Sequence, residues 1–478
     1  MKMIFSKRSL LMIPFVLAAC STTVAEKYTA PNAGFGAIAD AANKAIGKET
    51  VWAQSQQQSQ DLSKRVHGLV YRKTISAETA VQVALLNNKG LQAAYAEVGI
   101  SAAEAWQEAL PENPVISLGI FGLGAPELGV FRSIEGTFAT NLLDAKTRKQ
   151  RVALADVQFQ QAQLSAVNET LRLAAETRQA WIMAVSAFEA LGNLKQATHT
   201  ADASSKLAQN LGEAGSLDKG GQAREHAFYA ILAGKTAKAR LEAQAAKEQL
   251  TRLMGLWGTD VDYYVPNVLP RLPKSISRRK SIETIALQNR FDLKIAKLGL
   301  EATAKAFGMT DASRYVTDLE LIAGFETERE SDEVGGAASG TTPQLELEFA
   351  IPIFDTGQAR LRKAEQSYLR AANVLAEMAV GVRSEARGAE TAYHGSYEIA
   401  RHYRDTVVPL RKVVEEAALL SNNGMITNTF ELLDDTRETL DASLEAGNAK
   451  RDFWLAKANL TAAIYGGAVP LNRSDDDE

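Results

Sequence analysis

The chain has 478 residues, 46% apolar and 23% charged, with 53 Lys+Arg against 57 Asp+Glu. That balance excludes wholesale disorder and argues against a basic nucleic-acid binder, while the length allows two or three domains or one elongated unit. A single cysteine excludes a disulfide framework and a Cys-rich zinc site.

Lys2, Lys7 and Arg8 precede an apolar run over residues 10–19, the charged and hydrophobic regions of an export signal. The run is too short to span a bilayer as a helix. Cys20 follows Leu17-Ala18-Ala19 directly, which resembles a bacterial lipobox, where the thiol takes a diacylglyceryl group and becomes the new N-terminus. Ser21, rather than Asp, comes next, and in such signals this favours the outer membrane. Residues 1–19 are therefore read as a signal peptide and 20–73, polar and weakly patterned, as an extended lipid-anchored segment. Loss of Lys2, Lys7 and Arg8 with the signal moves the formal net charge from −4 to −7. No other segment approaches 18 consecutive apolar residues, so a mature chain that crosses a membrane does so as a closed barrel.

The remainder is written twice. Ala84-Leu85-Leu86-Asn87 returns as Ala286-Leu287-Gln288-Asn289, and the segment from Phe138 to Asp144 returns from Phe349 to Asp355. Gly212 then matches Gly424, and Arg224-Glu225 matches Arg437-Glu438. The order is kept while the offset grows from 202 to 213, as in a tandem duplication with small insertions. The first repeat covers 74–265, the linker 266–280 and the second repeat 281–466, with an acidic tail at 467–478. Each repeat reads as helix, two strands, long helix, turn and helix. Pro111 and Pro114 close the first helix, Pro266, Pro270 and Pro273 mark the linker, and Pro343 and Pro352 flank the last strand. Pro409 predicts a kink or break.

Leu164, Val167, Leu171, Ala174, Arg178, Trp181, Val185 and Phe188 keep 3–4 spacing, as do Ala364, Tyr368, Ala371, Leu375, Met378 and Val382. Such narrow stripes are coiled-coil seams. A helix from Asp144 to near Asn210 would be about 100 Å long at 1.5 Å per residue. In the strands, Leu345, Leu347, Phe349 and Ile351 alternate with Gln344, Glu346, Glu348 and Ala350, and Leu319, Leu321, Ala323 and Phe325 with Asp318, Glu320, Ile322 and Gly324. One apolar and one acidic face suits a barrel wall with lipid outside and water inside. Strands near 115–122 and 131–140 complete a set of four. Four strands cannot close a membrane barrel, for which about eight is the minimum, so three copies giving twelve are expected.

These features resemble the TolC family of outer-membrane efflux ducts across most of the mature chain. Ala84 to Leu91 followed by Leu110-Pro111-Glu112-Asn113-Pro114 is similar to the family's first helix and its lead into a strand. Phe349-Ala350-Ile351-Pro352-Ile353-Phe354-Asp355-Thr356-Gly357 resembles its strand-to-helix junction. Leu253-Met254-Gly255 and Leu269-Pro270-Arg271-Leu272-Pro273 resemble its linker. The resemblance implies an α/β membrane protein: a homotrimer with a twelve-stranded outer-membrane β-barrel, four strands per chain. That barrel would be continuous with a long coiled-coil α-helical tunnel in the periplasm. A periplasmic adaptor and an inner-membrane pump are the implied partners, with outer-membrane lipid around the barrel.

Carried over position by position, the tunnel tips fall at 210–217 and 421–430, with Gly212, Gly215 and Gly424 permitting reversal and the turns offered to the adaptor. Asp218, Glu431 and Asp434 match the family's acidic ring at the periplasmic entrance, which filters for cations and binds divalent ions. They also read as helix N-terminal acids. Ile426 stands where a gating Arg is found in the family. Asp318, Glu320, Glu346 and Glu348 are expected along the barrel lumen or on an ordinary solvated face, and Asp144 and Asp355 read as N-caps. No enzyme constellation is present: His67, His199, His226, His394 and His402 are scattered, and no cofactor or resident metal is implied. Gly119 to Gly124 reads as a glycine-rich strand end and Gly335 to Gly340 as a hairpin tip. The competing class is a structural or adhesive coiled-coil periplasmic lipoprotein, which leaves the duplicated strand pairs unexplained.

Overall fold

A computed structural model describes residues 27–124, 131–316, 318–331, 337–423 and 429–466. Cys20, Gly424, Ile426 and the acidic tail lie outside the described residues. The stretch read as extended holds two helices, α1 (Phe35–Ile46) and α2 (Gln56–Val70). Their stripes are sparse: only Ile38 and Ala42, and Val66 and Val70, recur four apart and are buried. Ser55 caps α2 by accepting the Gln58 N–H.

The duplication is visible in the element order. The first repeat runs α3 (Ala77–Asn87), α4 (Lys89–Ala109), β1 (Val115–Phe121), β2 (Ser133–Asn141), α5 (Leu142–Glu213) and α6 (Lys219–Leu253). The second runs α7 (Ile282–Asn289), α8 (Phe291–Ala312), β3 (Leu319–Ser331), β4 (Ala337–Phe349), α9 (Gln358–His402), α10 (Val408–Asn423) and α11 (Thr429–Tyr465). The single first helix expected in each repeat is broken at corresponding places. Asn88 and Arg290 have extended backbone, with ψ of 119° and 125°. At the first break, Asn87 Nδ2 donates to the carbonyls of Met254 and Gly255 and Asn88 Nδ2 to that of Leu253. Carbonyls at the end of α6, which have no partner within the helix, are thereby satisfied.

The described residues form two compact units, one from 27–35, 96–164 and 294–377 and the other from 36–95, 165–293 and 378–466. The first contains an antiparallel sheet in the order β1-β2-β3-β4. Strands from different repeats pair at its centre, and β1 and β4 are its edges. Pro343, expected to flank the last strand, lies inside β4 opposite Phe325. An edge strand accommodates a residue with no N–H to donate. Residues 337–340, expected at a hairpin tip, belong to the same strand.

Neither aspartate expected as an N-cap has that role. Asn141 Oδ1 accepts the Asp144 N–H at 3.0 Å, so Asn141 caps α5. Asp144, in the first turn, pairs with Arg151 instead. Asp355 precedes α9 by three residues and accepts the Gly357 N–H at 2.8 Å, closing a turn in front of the helix.

In the second unit, α5 and α6 pack along a narrow seam that takes in Phe188 of the stripe read from sequence. Phe228, Leu232, Ala239 and Ala243 of α6 are buried against Leu191, Leu194 and Ala201 of α5, with Leu440 and Leu444 of α11 packed on the same cluster. Thr198 and Thr236 hydroxyls meet at 2.7 Å within the seam. The 72 residues of α5 make roughly 108 Å of helix. The equivalent path in the second repeat is interrupted by a π turn, Tyr403–Val407, just before Pro409. Pro409 has no N–H for the carbonyl four residues back, and the wider turn absorbs the irregularity. The linker is strapped down: Leu269 N–H donates to Glu189 (2.8 Å), Trp454 Nε1 to the Pro270 carbonyl (3.1 Å) and Tyr397 Oη to that of Lys274 (2.9 Å).

Candidate functional site

The sheet has two chemically distinct faces. In antiparallel strands, directly opposed residues point the same way. The register opposes Leu319 to Phe349, Leu321 to Leu347 and Ala323 to Leu345, and the apolar face continues through Phe138 and Ile116. This face is open: Ile116 is 76% exposed and Leu345 74%. Phe325 extends it by lying over Gly136, where an added Cβ would come within 2.7 Å of its ring. Gly136 thus permits close approach of the aromatic ring.

On the other face Glu320 opposes Glu348 and Glu346 opposes Ile322. The three lumen glutamates expected from the alternation therefore share one surface, and Asp318 is exposed just before β3. Three further carboxylates join them: Glu135 opposite Glu326, and Glu328 opposite Ser133. Continuing the period of two past Phe325 would have found Glu326 and Glu328, whereas the glycine-broken pattern of β2 hides Glu135. Partial compensation comes from Gln344, which donates to Glu326 at 3.2 Å, and from Arg132, 3.7 Å from Glu328. Like charges in direct opposition are destabilising in a sheet.

The start of the described chain is held in the same unit. Tyr28 is buried against Phe159 and donates to Asp156 at 2.8 Å, and Lys27 pairs with the same carboxylate. Burial acts to raise the Asp156 carboxyl, but the hydrogen bonds from Lys27, Tyr28 and Gln160 outweigh it and hold the group below the usual range.

In the second unit, α5 reverses into α6 through a Schellman turn. Gly215 has φ +74°, its N–H donates to the Gly212 carbonyl at 3.0 Å, and the Ser216 N–H donates to that of Leu211 at 2.8 Å. Gly215 is thus the reversing residue, and Gly212 belongs to the last turn of α5. Asp218 is exposed and caps α6, accepting the Gly221 N–H at 2.7 Å. Asp434 is exposed on α11, and Glu431 lies on the same helix.

About two turns beyond the cap, the seam carries an unexpected charge. Glu225 is buried, and its Oε2 has no hydrogen-bond partner. Burial pushes this carboxyl above its usual range, against the opposing pull of Arg437, His226 and Arg224. Arg437 lies 4.3 Å over the Phe228 ring, and Glu438 pairs with Arg411 of α10. The repeated Arg-Glu pair of the sequence thus has different partners in the two repeats.

Among the described residues no group of three or more His, Cys, Asp or Glu is placed to hold a metal ion, and no helix is long and apolar enough to cross a membrane. The sequence matches no known family model and no curated protein. The fold, by contrast, matches solved structures. The CmeC outer membrane channel of Campylobacter jejuni superposes with a TM-score of 0.68 at 16% identity, covering 88% of this chain and 89% of that one. The outer-membrane channel OprN gives 0.67 at 19% identity, covering 87% and 92%. The MtrE outer membrane channel of Neisseria gonorrhoeae, solved in an open state, gives 0.63 at 16%, covering 82% and 89%. The chain has the fold of these channels: four strands in one antiparallel sheet and long paired helices.

Proposed function

We propose that this protein is the outer-membrane channel of a tripartite export system, a passive duct for substrates delivered by an inner-membrane pump through a periplasmic adaptor. The observation that carries this reading is the sheet. Its apolar face is uncovered, its opposite face bears carboxylates, and its two edges are unpaired among the described residues. A four-stranded sheet with these properties is complete only when copies pair β1 to β4 around a closed ring with lipid outside and water inside. Three copies give twelve strands, and the likeness in fold to outer-membrane channels supports that count.

On this reading the helices form the periplasmic tunnel, the turns between them face the adaptor, and Asp218, Glu431 and Asp434 ring the entrance. Cys20 carries the lipid. Tyr28 and Lys27 then fasten the chain eight residues on, close to where the acyl chains hold it. The channel is passive on this reading, and the work of export comes from the pump.

The test is single-channel recording of the detergent-purified trimer in a planar bilayer. A small cation-selective conductance, reduced by divalent ions, is expected. A protein that stays monomeric, loses its strand content on mild heating and carries no current would identify the structural lipoprotein instead.

A further inference from the structure

We infer that the cations at the starts of α5 and α9, above all Lys149 and Arg360, form a belt that binds anionic phospholipid headgroups along the periplasmic rim of the barrel. The inference rests on the membrane-spanning reading of the sheet and assigns what borders it on that side.

The first ten residues of α5 carry Lys146, Arg148, Lys149 and Arg151 against one acid, Asp144. The first six of α9 carry Arg360, Arg362 and Lys363 against none. A helix N-terminus is the positive end of the macrodipole, so cations there are unfavourable unless an anion compensates them. Arg151 has Asp144 and Glu108, and Arg360 lies 3.8 Å from Asp355. Lys146, Lys149, Arg362 and Lys363 are exposed, and among the described residues none of them has an acidic partner. Both repeats thus open their long helix with positive charge that the chain does not neutralise.

The segment after Cys20 marks the outer side of α5. Lys27 and Tyr28 bond to Asp156, Tyr28 packs on Phe159, and the Ala33 carbonyl accepts from Gln163 at 3.5 Å. Counting back in sevens from Gln163 and Asp156 along this helix face gives Lys149 and then Leu142, the first residue of α5. Leu142 is exposed and follows directly on β2, so the apolar sheet gives way to a cation two helical turns, about 10 Å, further on. The duplication repeats the pattern. At the offset that links Asp144 to Asp355, Leu142 corresponds to Ile353 and Lys149 to Arg360. Ile353 is 72% exposed and its neighbour Phe354 fully so, and large apolar side chains left open together mark a contact. Apolar groups at the hydrocarbon edge, with long cationic side chains just beyond, make an interfacial anchor: the stems lie along apolar surface while the charges reach phosphate. The headgroup zone is roughly 5–8 Å deep, within reach of Lys149 and Arg360. Positive charge selects anionic headgroups over zwitterionic ones, and the guanidinium of Arg360 can grip a phosphate with two parallel bonds.

The experiment is thermal unfolding of the full-length trimer in dodecyl maltoside, with dioleoylphosphatidylglycerol or dioleoylphosphatidylcholine added at equal concentration. The anionic lipid should raise the midpoint above that with the zwitterionic one by about 3 °C or more. Lys149→Gln together with Arg360→Gln should remove most of that difference. Lys235→Gln with Arg240→Gln, two exposed cations of α6 in the second unit, should leave it intact. Equal midpoints with the two lipids, or a difference that survives in the Lys149 and Arg360 double variant, would overturn the belt while leaving the channel reading intact. An equal rise with sodium phosphate alone would identify a free-anion site and overturn the lipid assignment. Protein that forms no trimer by light scattering would overturn the belt and the channel reading together. Native mass spectrometry of the unaltered trimer gives a second reading: phosphatidylglycerol should be retained in preference to phosphatidylcholine, and equal retention would also overturn the belt.

Discussion

Glu225 shows how one side chain can set a condition on the whole hairpin. Its carboxyl is buried in the α5–α6 seam with an oxygen unpaired, and burial raises it above the ordinary value of 4.5. For an acid raised in the folded state, the unfolded chain loses its proton first. Stability is then fully present below about pH 4.5 and declines as pH rises towards the folded value. Glu225→Gln removes that decline. Its melting temperature should exceed that of the parent at pH 7.5 and coincide with it near pH 4, which scanning calorimetry across pH will measure. Position 225 was legible in sequence only as part of a repeated Arg-Glu pair. Its burial was not, because that depends on a seam phase which the repeat alone does not define. Asp144 and Asp355 make the same point. An acid near a helix start was readable, but whether it caps the helix depended on one or two residues of register.

At the scale of elements, the strands were the most legible part and the helix breaks the least. Alternation at 319–325 and 344–351 separated apolar from acidic residues, and the register opposes Leu319 to Phe349 and Glu320 to Glu348. What hid α1 and α2 was a stripe only two residues deep, and what hid the breaks at Asn88 and Arg290 was their dependence on distant carbonyls and carboxylates. Arg290 is buried between Asp292 and Glu385, and no local pattern announces that. Replacing it by Ala leaves two partly exposed acids without their partner, and a loss of about 1–3 kcal/mol is expected from chemical denaturation. The acidic face permits a prediction of opposite sign. Glu320→Gln relieves direct opposition to Glu348 and should stabilise the sheet by about 0.2–1 kcal/mol. The same substitution should lower the cation-to-anion permeability ratio, read from reversal potentials in a salt gradient.

For the whole molecule, the duplicated order, the count of four strands and the long seams were all readable from sequence, because each rests on periodicity. The division into two units drawn from interleaved stretches was not, since it depends on where long helices pass from one set of neighbours to another. Of the acids matched to an entrance ring, Asp218 caps α6, the helix N-terminal role that the sequence also offered for it. Replacing Glu431 and Asp434 by Asn should weaken cation selectivity in the assembled channel. Unchanged reversal potentials would assign selectivity to the sheet face instead.

The two unpaired edges of the sheet also have a consequence for inheritance. If every strand edge is completed by another subunit, a chain with a damaged β1 still offers an intact β4 and is still recruited. Each ring that includes it is left unsealed, so a cell expressing the damaged and normal forms together would retain few sound channels. Lesions in the edge strands should therefore act as dominant alleles, whereas lesions that prevent folding altogether should be recessive.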